Sequence, residues 1–249
     1  LIGTSASERP AAPVCWAPPP SVPQHPFLCL LFFASSLPMI SLGITGGIGS
    51  GKSAAVARLA AKPGVRTLLA DGLAKRLMQE DAALRADLIA AFGPQTYDAA
   101  GRLNRAWLAH QVFGDDTRLA QLNALVHPRV RAAFLDARAE AEADGVRLYV
   151  YEAALLFETD AGQHLDAVAV VDAPAETRIA RVLARDGVTR AQVEARMQHQ
   201  LAPETLRARA DYVLHNGGTL DALHAQVDAL YARLLDAATT EEGREDAAV

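Results

Sequence analysis

The chain has 249 residues, of which 51% are hydrophobic and 21% are charged, and its formal net charge at pH 7 is -5. This length and composition are enough to bury a hydrophobic core, either as one domain with insertions or as two small domains. The acidic balance excludes an electrostatic footprint for nucleic acid or for an anionic membrane surface. We therefore expect a globular protein with neither nucleic-acid nor membrane partners.

Residues 1–38 differ from the rest of the chain because they are rich in proline and nearly uncharged. Such a segment is not expected to pack, and its apolar run is too short to cross a bilayer as a helix. The first methionine is Met39, so we expect residues 1–38 to be a disordered extension or a mis-assigned start. Both cysteines, Cys15 and Cys29, lie there, which leaves the globular part without thiols and fits a cytoplasmic protein.

The first predicted elements are a strand and a helix joined by a glycine-rich loop. Residues 39–45, MISLGIT, form a short apolar run, and KSAAVARLAA after the loop has helical spacing. Between them GGIGSGKS fits the pattern GxxxxGK[ST] at every fixed position. Glycines let the backbone N–H groups of such a loop turn toward a phosphate, and the helix N-terminus adds its dipole. The segment is therefore predicted to be a P-loop that binds a nucleotide.

Two polar side chains of this loop have predicted tasks. Lys52 is one of only three lysines among 24 basic residues, and its compact ammonium suits the β- and γ-phosphates. The hydroxyl of Ser53 is predicted to ligate Mg²⁺. The ATP-binding positions predicted for the loop are Gly46, Gly47, Ile48, Gly49, Ser50, Gly51, Lys52, Ser53 and Ala54.

A second strand is predicted over residues 65–70, and Asp71 follows at its carboxyl end, where ligands bind to open parallel sheets. This carboxylate is placed to accept a proton from a hydroxyl that attacks the phosphate. The alternative is that Asp71 caps the helix that begins with GLAKRLMQ, a role that aspartate fills readily. The local pattern leaves both roles open and by itself favours the cap.

A long helical stretch is predicted between the second and third strands, over residues 73–146. Its pieces have polar starts and glycine or proline stops, one of them at the His127-Pro128 pair. Because the stretch is long for a simple crossover, we interpret it as an inserted domain that binds the acceptor. Arg105 and His127 are candidates for holding an anionic acceptor. Alternatively, the arginine lies on a solvated face and the histidine is a cap or a hydrogen-bonded residue.

The third strand is predicted to end at Glu152, which resembles the acidic position that acts on Mg²⁺ directly or through water. After a fourth strand, Arg178, Arg181 and Arg185 recur at helical spacing. Like charges four residues apart destabilise a free helix, so a polyphosphate under a closing lid would explain the last two. A salt-bridged surface helix is the alternative.

The chain is predicted to close with a fifth strand that ends at Asn216 and with an amphipathic helix. Residues 237–249, which are rich in acidic side chains, are predicted to be a disordered tail.

In their order and spacing, these segments resemble the dephospho-CoA kinase family from about Met39 to Leu235. The resemblance rests on ITGGIGSGKS, the Asp71 region, GRLNR, VFGDD, the HP pair, LLFE, the lid arginines, Gln200 and ADYVLHNGG. It implies an α/β fold, with a P-loop NTPase core built on a parallel sheet, an inserted all-helical substrate domain and a helical lid. It also implies transfer of the γ-phosphate of ATP to the 3′-hydroxyl of dephospho-CoA, the last step of coenzyme A synthesis.

The resemblance further implies individual roles. Asp71 becomes the catalytic base and a substrate contact, Lys52 and Arg185 become catalytic at the phosphates, and Arg181 joins Arg185 in binding ATP. Substrate binding by the acceptor domain falls to Arg105 and His127. Mg²⁺ is the implied cofactor, with Ser53 and Glu152 as its ligands. The implied partners are the small molecules ATP and dephospho-CoA, and the expected state is a monomer or a weak homo-oligomer.

The predicted domain division follows from the same comparison. Residues 39–72, 147–175 and 205–236 form the nucleotide-binding core, residues 73–146 the acceptor insert, and residues 176–204 the lid. Two other functions remain open: a kinase for another small acceptor such as a nucleoside monophosphate, and a nucleotide-dependent switch that has lost its kinase activity. The second is suggested by Leu69, which stands where the family usually has the first carboxylate of an Asp-x-Asp pair.

Overall fold

Five parallel strands form one sheet, and the strongly apolar β1, β3 and β4 lie at its centre. The computed structural model describes residues 38–245, apart from the side chains of Asp160 and of residues 237–245. The prediction for the N-terminal extension therefore falls almost wholly on residues outside the described part. The strands are β1 (Ile40–Thr45), β2 (Val65–Leu69), β3 (Leu148–Glu152), β4 (Ala167–Asp172) and β5 (Tyr212–His215), in the spatial order β2-β3-β1-β4-β5.

The register of the sheet brings three predicted elements to one edge. Ile44, the penultimate residue of β1, lies beside Glu152 at the end of β3, and Glu152 in turn lies beside Leu69 at the end of β2. Since all strands are parallel, their carboxyl ends meet there. The five predicted strands are confirmed, with β2 and β5 each ending one residue earlier than expected.

Helices cover both faces of the sheet. One face packs on the first and last helices, and the other packs on a long helix whose Phe134 ring centroid lies 4.4 Å from that of Tyr151. The helices are α1 (Lys52–Ala60), α2 (Ala70–Glu80), α3 (Ala82–Phe92), α4 (Arg105–Val112), α5 (Asp116–Ala143), α6 (Ala175–Asp186), α7 (Arg190–Gln198), α8 (Pro203–Arg209) and α9 (Leu220–Glu245), with 3₁₀ turns at Pro94–Thr96 and Asp160–His164. Among the described residues, no helix is long and apolar enough to span a membrane.

The helical segment between β2 and β3 contains α2 to α5 and has an apolar cluster of its own around Leu84, Leu88 and Phe92. The prediction that a helix stops at Pro128 is wrong, because α5 continues through it. An interior proline removes one backbone hydrogen bond and costs about 3 kcal/mol. Buried side chains on either side of it, Val126 and Phe134, keep the helix packed along both clusters.

The two helices after β4 form a small separate unit. Ile179 and Val182 of α6 pack on Val193 of α7, with Ile48 of the glycine-rich loop against them. The expected disordered tail also differs from the structure, since α9 continues to Glu245. Residues 237–245 are rich in alanine and glutamate and contain no proline, which favours continuing the helix.

Candidate active site

The glycine-rich loop between β1 and α1 has the backbone of a phosphate cradle. Gly49 and Gly51 have φ values of 76° and 99°, a left-handed conformation that side chains with a Cβ rarely adopt. Gly51 is also the N-cap of α1, and a Cβ there would collide with Nδ2 of Asn216. The N–H groups of the first turn of α1 are therefore placed to bind an anion inside the loop.

The side chain of Lys52 reaches back to the start of the loop. Its Nζ donates to the carbonyl oxygen of Gly46 at 2.8 Å and lies 3.5 Å from that of Gly47. Burial lowers the pKa of Lys52, and the carboxylates of Glu152 and Asp71 oppose that shift. The ammonium thus stands between the loop and the acidic end of β2 and β3.

Asp71 is the second residue of α2 and is exposed. The N-cap of α2 is Leu69, and no side chain caps it, so the interpretation of Asp71 as a helix cap is wrong. Placing a carboxylate in the first turn still favours the helix through its dipole. The carboxylate of Asp71 therefore lies at the carboxyl end of the sheet without capping α2.

Glu152, the last residue of β3, is half-buried next to this position. Burial raises the pKa of Glu152, Asp71 raises it further, and Lys52 lowers it. The same two carboxylates, after burial, raise the pKa of Tyr151 to about 12. Asp71, Glu152 and Lys52 therefore form one electrostatic cluster where β1, β2 and β3 end.

A cleft of about 890 Å³ opens from this cluster toward the helical segment. Asp71 lies in its wall, and so does His127, whose pKa is lowered by burial. Arg105 is the exposed first residue of α4 and is not part of the cleft wall. The wall is mostly apolar and includes Ala74, Met78, Leu122, Val126, Pro128, Leu135, Tyr151, Ala153 and Leu155, with Arg131 and Glu158 among its charged members.

The three arginines of α6 occupy different environments. Arg185 is exposed and makes a bidentate ion pair with its neighbour Asp186, at 2.6 and 2.9 Å. Arg181 donates to the carbonyl oxygen of Asn216 at 3.0 Å and to that of Ser50 at 3.4 Å. Arg178 is buried against the loop. Only Arg178 and Arg181 therefore touch the glycine-rich loop in this conformation.

Two residues that the sequence did not single out as site residues also hold the loop. Gln200 Oε1 accepts the N–H of Ile48 at 2.8 Å, and the buried Asn216 donates to the carbonyl oxygen of Ser50 at 2.7 Å. The position of Asn216 directly after β5 could have indicated its contact with the loop, because β5 and β1 end on the same side of the sheet. Gln200, which entered the sequence analysis only as part of the family resemblance, lies 152 residues from its partner.

Comparison with known proteins gives this geometry a family. A family model described as dephospho-CoA kinase matches residues 40–222. The chain belongs to the dephospho-CoA kinase family. A curated dephospho-CoA kinase from Salinibacter ruber is 52% identical over 193 residues, covering 78% of this chain and 96% of the relative. The corresponding protein of Thermobifida fusca is 41% identical over 196 residues, covering 79% and 96%.

Solved structures agree. A crystal structure from Thermus thermophilus is 38% identical, with a TM-score of 0.67, and covers 79% of this chain and 98% of its own. A dephospho-CoA kinase from Campylobacter jejuni, 20% identical with a TM-score of 0.56, covers 78% and 96% and supports the fold. The predicted resemblance to the dephospho-CoA kinase family and the predicted P-loop kinase fold are both confirmed. The chain is a kinase, a nucleotide-binding transferase of coenzyme A biosynthesis.

Proposed function

We propose that this protein transfers the γ-phosphate of ATP to the 3′-hydroxyl of dephospho-CoA. One observation supports this most directly: Asp71 lies in the wall of the large cleft and is also within electrostatic range of Lys52 in the phosphate loop. The carboxylate therefore stands where an acceptor in the cleft would meet a phosphate in the loop. The names of the family and of its curated relatives supply the identity of the acceptor.

Positioning and charge carry the proposed reaction, and no covalent intermediate is required. Asp71 orients the acceptor hydroxyl and accepts its proton, so it acts as a general base. The loop N–H groups and Lys52 hold the β- and γ-phosphates. Arg185 releases Asp186 when the lid closes and then stabilises charge on the transferring group.

Mg²⁺ is the proposed cofactor, and the donors present suit it. Ser53 supplies a hydroxyl at the start of α1, and Glu152 supplies a carboxylate at the adjacent end of β3. Mg²⁺ usually takes one or two protein oxygens plus phosphates and waters. Among the side chains that the structure describes, no group of three or more His, Cys, Asp or Glu residues could hold a metal ion. When bound, Mg²⁺ neutralises charge on the β- and γ-phosphates.

The acceptor is proposed to lie in the cleft, with His127 beside it. The lowered pKa of His127 favours a neutral imidazole that hydrogen-bonds the acceptor. Arg105, at the start of α4, is proposed to reach the acceptor from outside the cleft wall. We further propose a cytoplasmic location, where ATP is available, and a monomer or weak homo-oligomer in solution.

Mass-spectrometric detection of coenzyme A formed from ATP and dephospho-CoA tests the function. Parallel reactions with AMP, CMP and shikimate test the acceptor. We expect turnover with dephospho-CoA to exceed that with each of the others by at least about 10³-fold, because a site built to bind specific polar groups rejects analogues that lack them. If protein that binds ATP forms no coenzyme A from dephospho-CoA, the proposal is wrong.

A further inference from the structure

Arg178, in the first turns of α6, is a buried cation that has no hydrogen-bonded counter-ion within the described part of the chain. The residue is only 6% exposed, and its Nε has no hydrogen-bond partner. Within the described part of the chain, no other residue forms an ion pair or hydrogen bond with its side chain. Arginine is almost never buried unless it is paired, so this guanidinium calls for a partner that the protein alone does not provide.

The guanidinium lies against the phosphate loop. A Cβ on Gly47 would collide with Nη1 of Arg178, and a Cβ on Gly49 would collide with its carbonyl oxygen. The ammonium of Lys52 bonds the same stretch of the loop through the carbonyl oxygens of Gly46 and Gly47. Two cations therefore converge on Gly47.

The nearby carboxylates attract Arg178 through space, but their hydrogen bonds go to another arginine. Asp172 and Glu204 lie within electrostatic range of Arg178. Arg207 donates to Asp172 Oδ2 at 2.9 Å and to Glu204 Oε1 at 3.0 Å. Arg178 and Arg207 share the wall of a second cleft of about 490 Å³, so they differ in partners rather than in location.

We propose that Arg178 is a further phosphate-binding residue of the site, and that its partner is a β- or γ-phosphate oxygen of bound ATP. A planar guanidinium can bind a phosphate with two parallel hydrogen bonds, which a lysine cannot do. The phosphate loop and Lys52 fix where those oxygens arrive. The proposal rests on the proposed function only in that ATP occupies this loop; it does not depend on the acceptor.

Calorimetric titration of the full chain with MgATP and MgADP, without dephospho-CoA, tests this role. We expect Arg178→Gln to weaken both nucleotides at least tenfold, and Arg178→Lys, which keeps the charge, to weaken them less. Arg209→Gln is the control: it removes an exposed arginine of α8 that bonds the carbonyl oxygen of Phe157 and neither the loop nor the two carboxylates, and it should change nucleotide affinity by no more than about twofold. Thermal unfolding of every variant monitors folding.

Equal nucleotide affinity in wild type and folded Arg178→Gln would overturn the proposal. So would equal losses in Arg178→Gln and Arg209→Gln, which would show that the loss of affinity is not specific to Arg178. If Arg178→Gln does not fold, wild-type affinity in Arg178→Lys has the same meaning. Because binding is measured without the acceptor, a protein that binds ATP but fails to phosphorylate dephospho-CoA would refute the proposed function and leave this test intact.

Discussion

At the scale of single residues, the proposal depends most on Asp71. Its carboxylate does not cap α2 and lies in the wall of the cleft proposed for the acceptor, where it is placed to take a proton. We expect Asp71→Asn to keep MgATP affinity within about twofold and to lower kcat by about 10²-fold or more, the range of general-base catalysis. Steady-state kinetics and calorimetric titration measure the two effects. Asp136→Asn, an exposed change on α5, should alter neither. Unchanged turnover in Asp71→Asn would remove Asp71 from the mechanism.

Glu152 gives the site a distinctive pH dependence. Because burial and Asp71 raise its pKa, the folded protein retains a proton that the unfolded chain has lost between the ordinary value of 4.5 and the raised value. The contribution of Glu152 to stability therefore falls as pH rises through that window. We expect its contribution to activity to rise over the same window, since under the proposal only the carboxylate binds Mg²⁺.

We therefore expect the acidic limb of kcat/KM in wild type to lie above the pH at which an ordinary glutamate ionises. Glu152→Gln should lose that component and require more Mg²⁺ for half-maximal rate. A pH–rate profile and a Mg²⁺ titration measure both. Glu80→Gln, an exposed change at the end of α2, is the control. If Glu152→Gln keeps the wild-type Mg²⁺ requirement, Glu152 has no part in holding the ion.

At the scale of elements, the phosphate loop is braced by chain that lies far from it in sequence. The side chain of Asn216, which follows β5, donates to the carbonyl oxygen of Ser50 at 2.7 Å. Arg181 of α6 donates to the carbonyl oxygens of both Ser50 and Asn216. Asn216→Ala leaves a buried carbonyl without its strongest donor, at a cost of about 1–3 kcal/mol. For a protein of this size each kcal/mol lowers Tm by about 2–4 °C.

We expect Asn216→Ala to lower Tm by several degrees and to raise the KM for ATP about tenfold, with the KM for dephospho-CoA unchanged. Gln226→Ala provides the comparison. The side chain of Gln226 makes two hydrogen bonds of 2.8 Å with the backbone of His215, the residue before Asn216, and does not touch the loop. That variant should lose stability and keep its KM for ATP. Equal KM values in the two variants would show that the brace serves stability alone.

The sequence predicted elements better than it predicted contacts between them. Strands were found because apolar runs end at glycines or carboxylates, and the loop was found because its glycines are required locally. The break at Pro128 was wrong because packing of α5 on both sides outweighs the lost hydrogen bond. The contact of Gln200 and the burial of Arg178 were out of reach, since they depend on how α6 and the segment after α7 fold back onto the loop.

At the scale of the whole molecule, the two substrates are assigned to different parts of one site. The phosphate loop faces α6 and α7, whose small apolar cluster is separate from the core of the sheet. The acceptor cleft lies between β3, α2 and α5. Asp71 and Lys52 stand where these two halves meet. We therefore expect each half to close on its own substrate before phosphotransfer.

Hydrogen exchange measured by mass spectrometry tests this division. A non-hydrolysable ATP analogue should slow exchange in the lid, residues 176–204, because closing it would enclose α6 and α7 that now have little buried surface of their own. Dephospho-CoA alone should instead slow exchange in residues 122–135 and 153–161, which contribute to the cleft wall. Exchange in α9, which packs on the far face of the sheet, serves as the internal control. If both ligands protect the same segments, the halves close together, and the separate assignment of lid and acceptor insert is wrong.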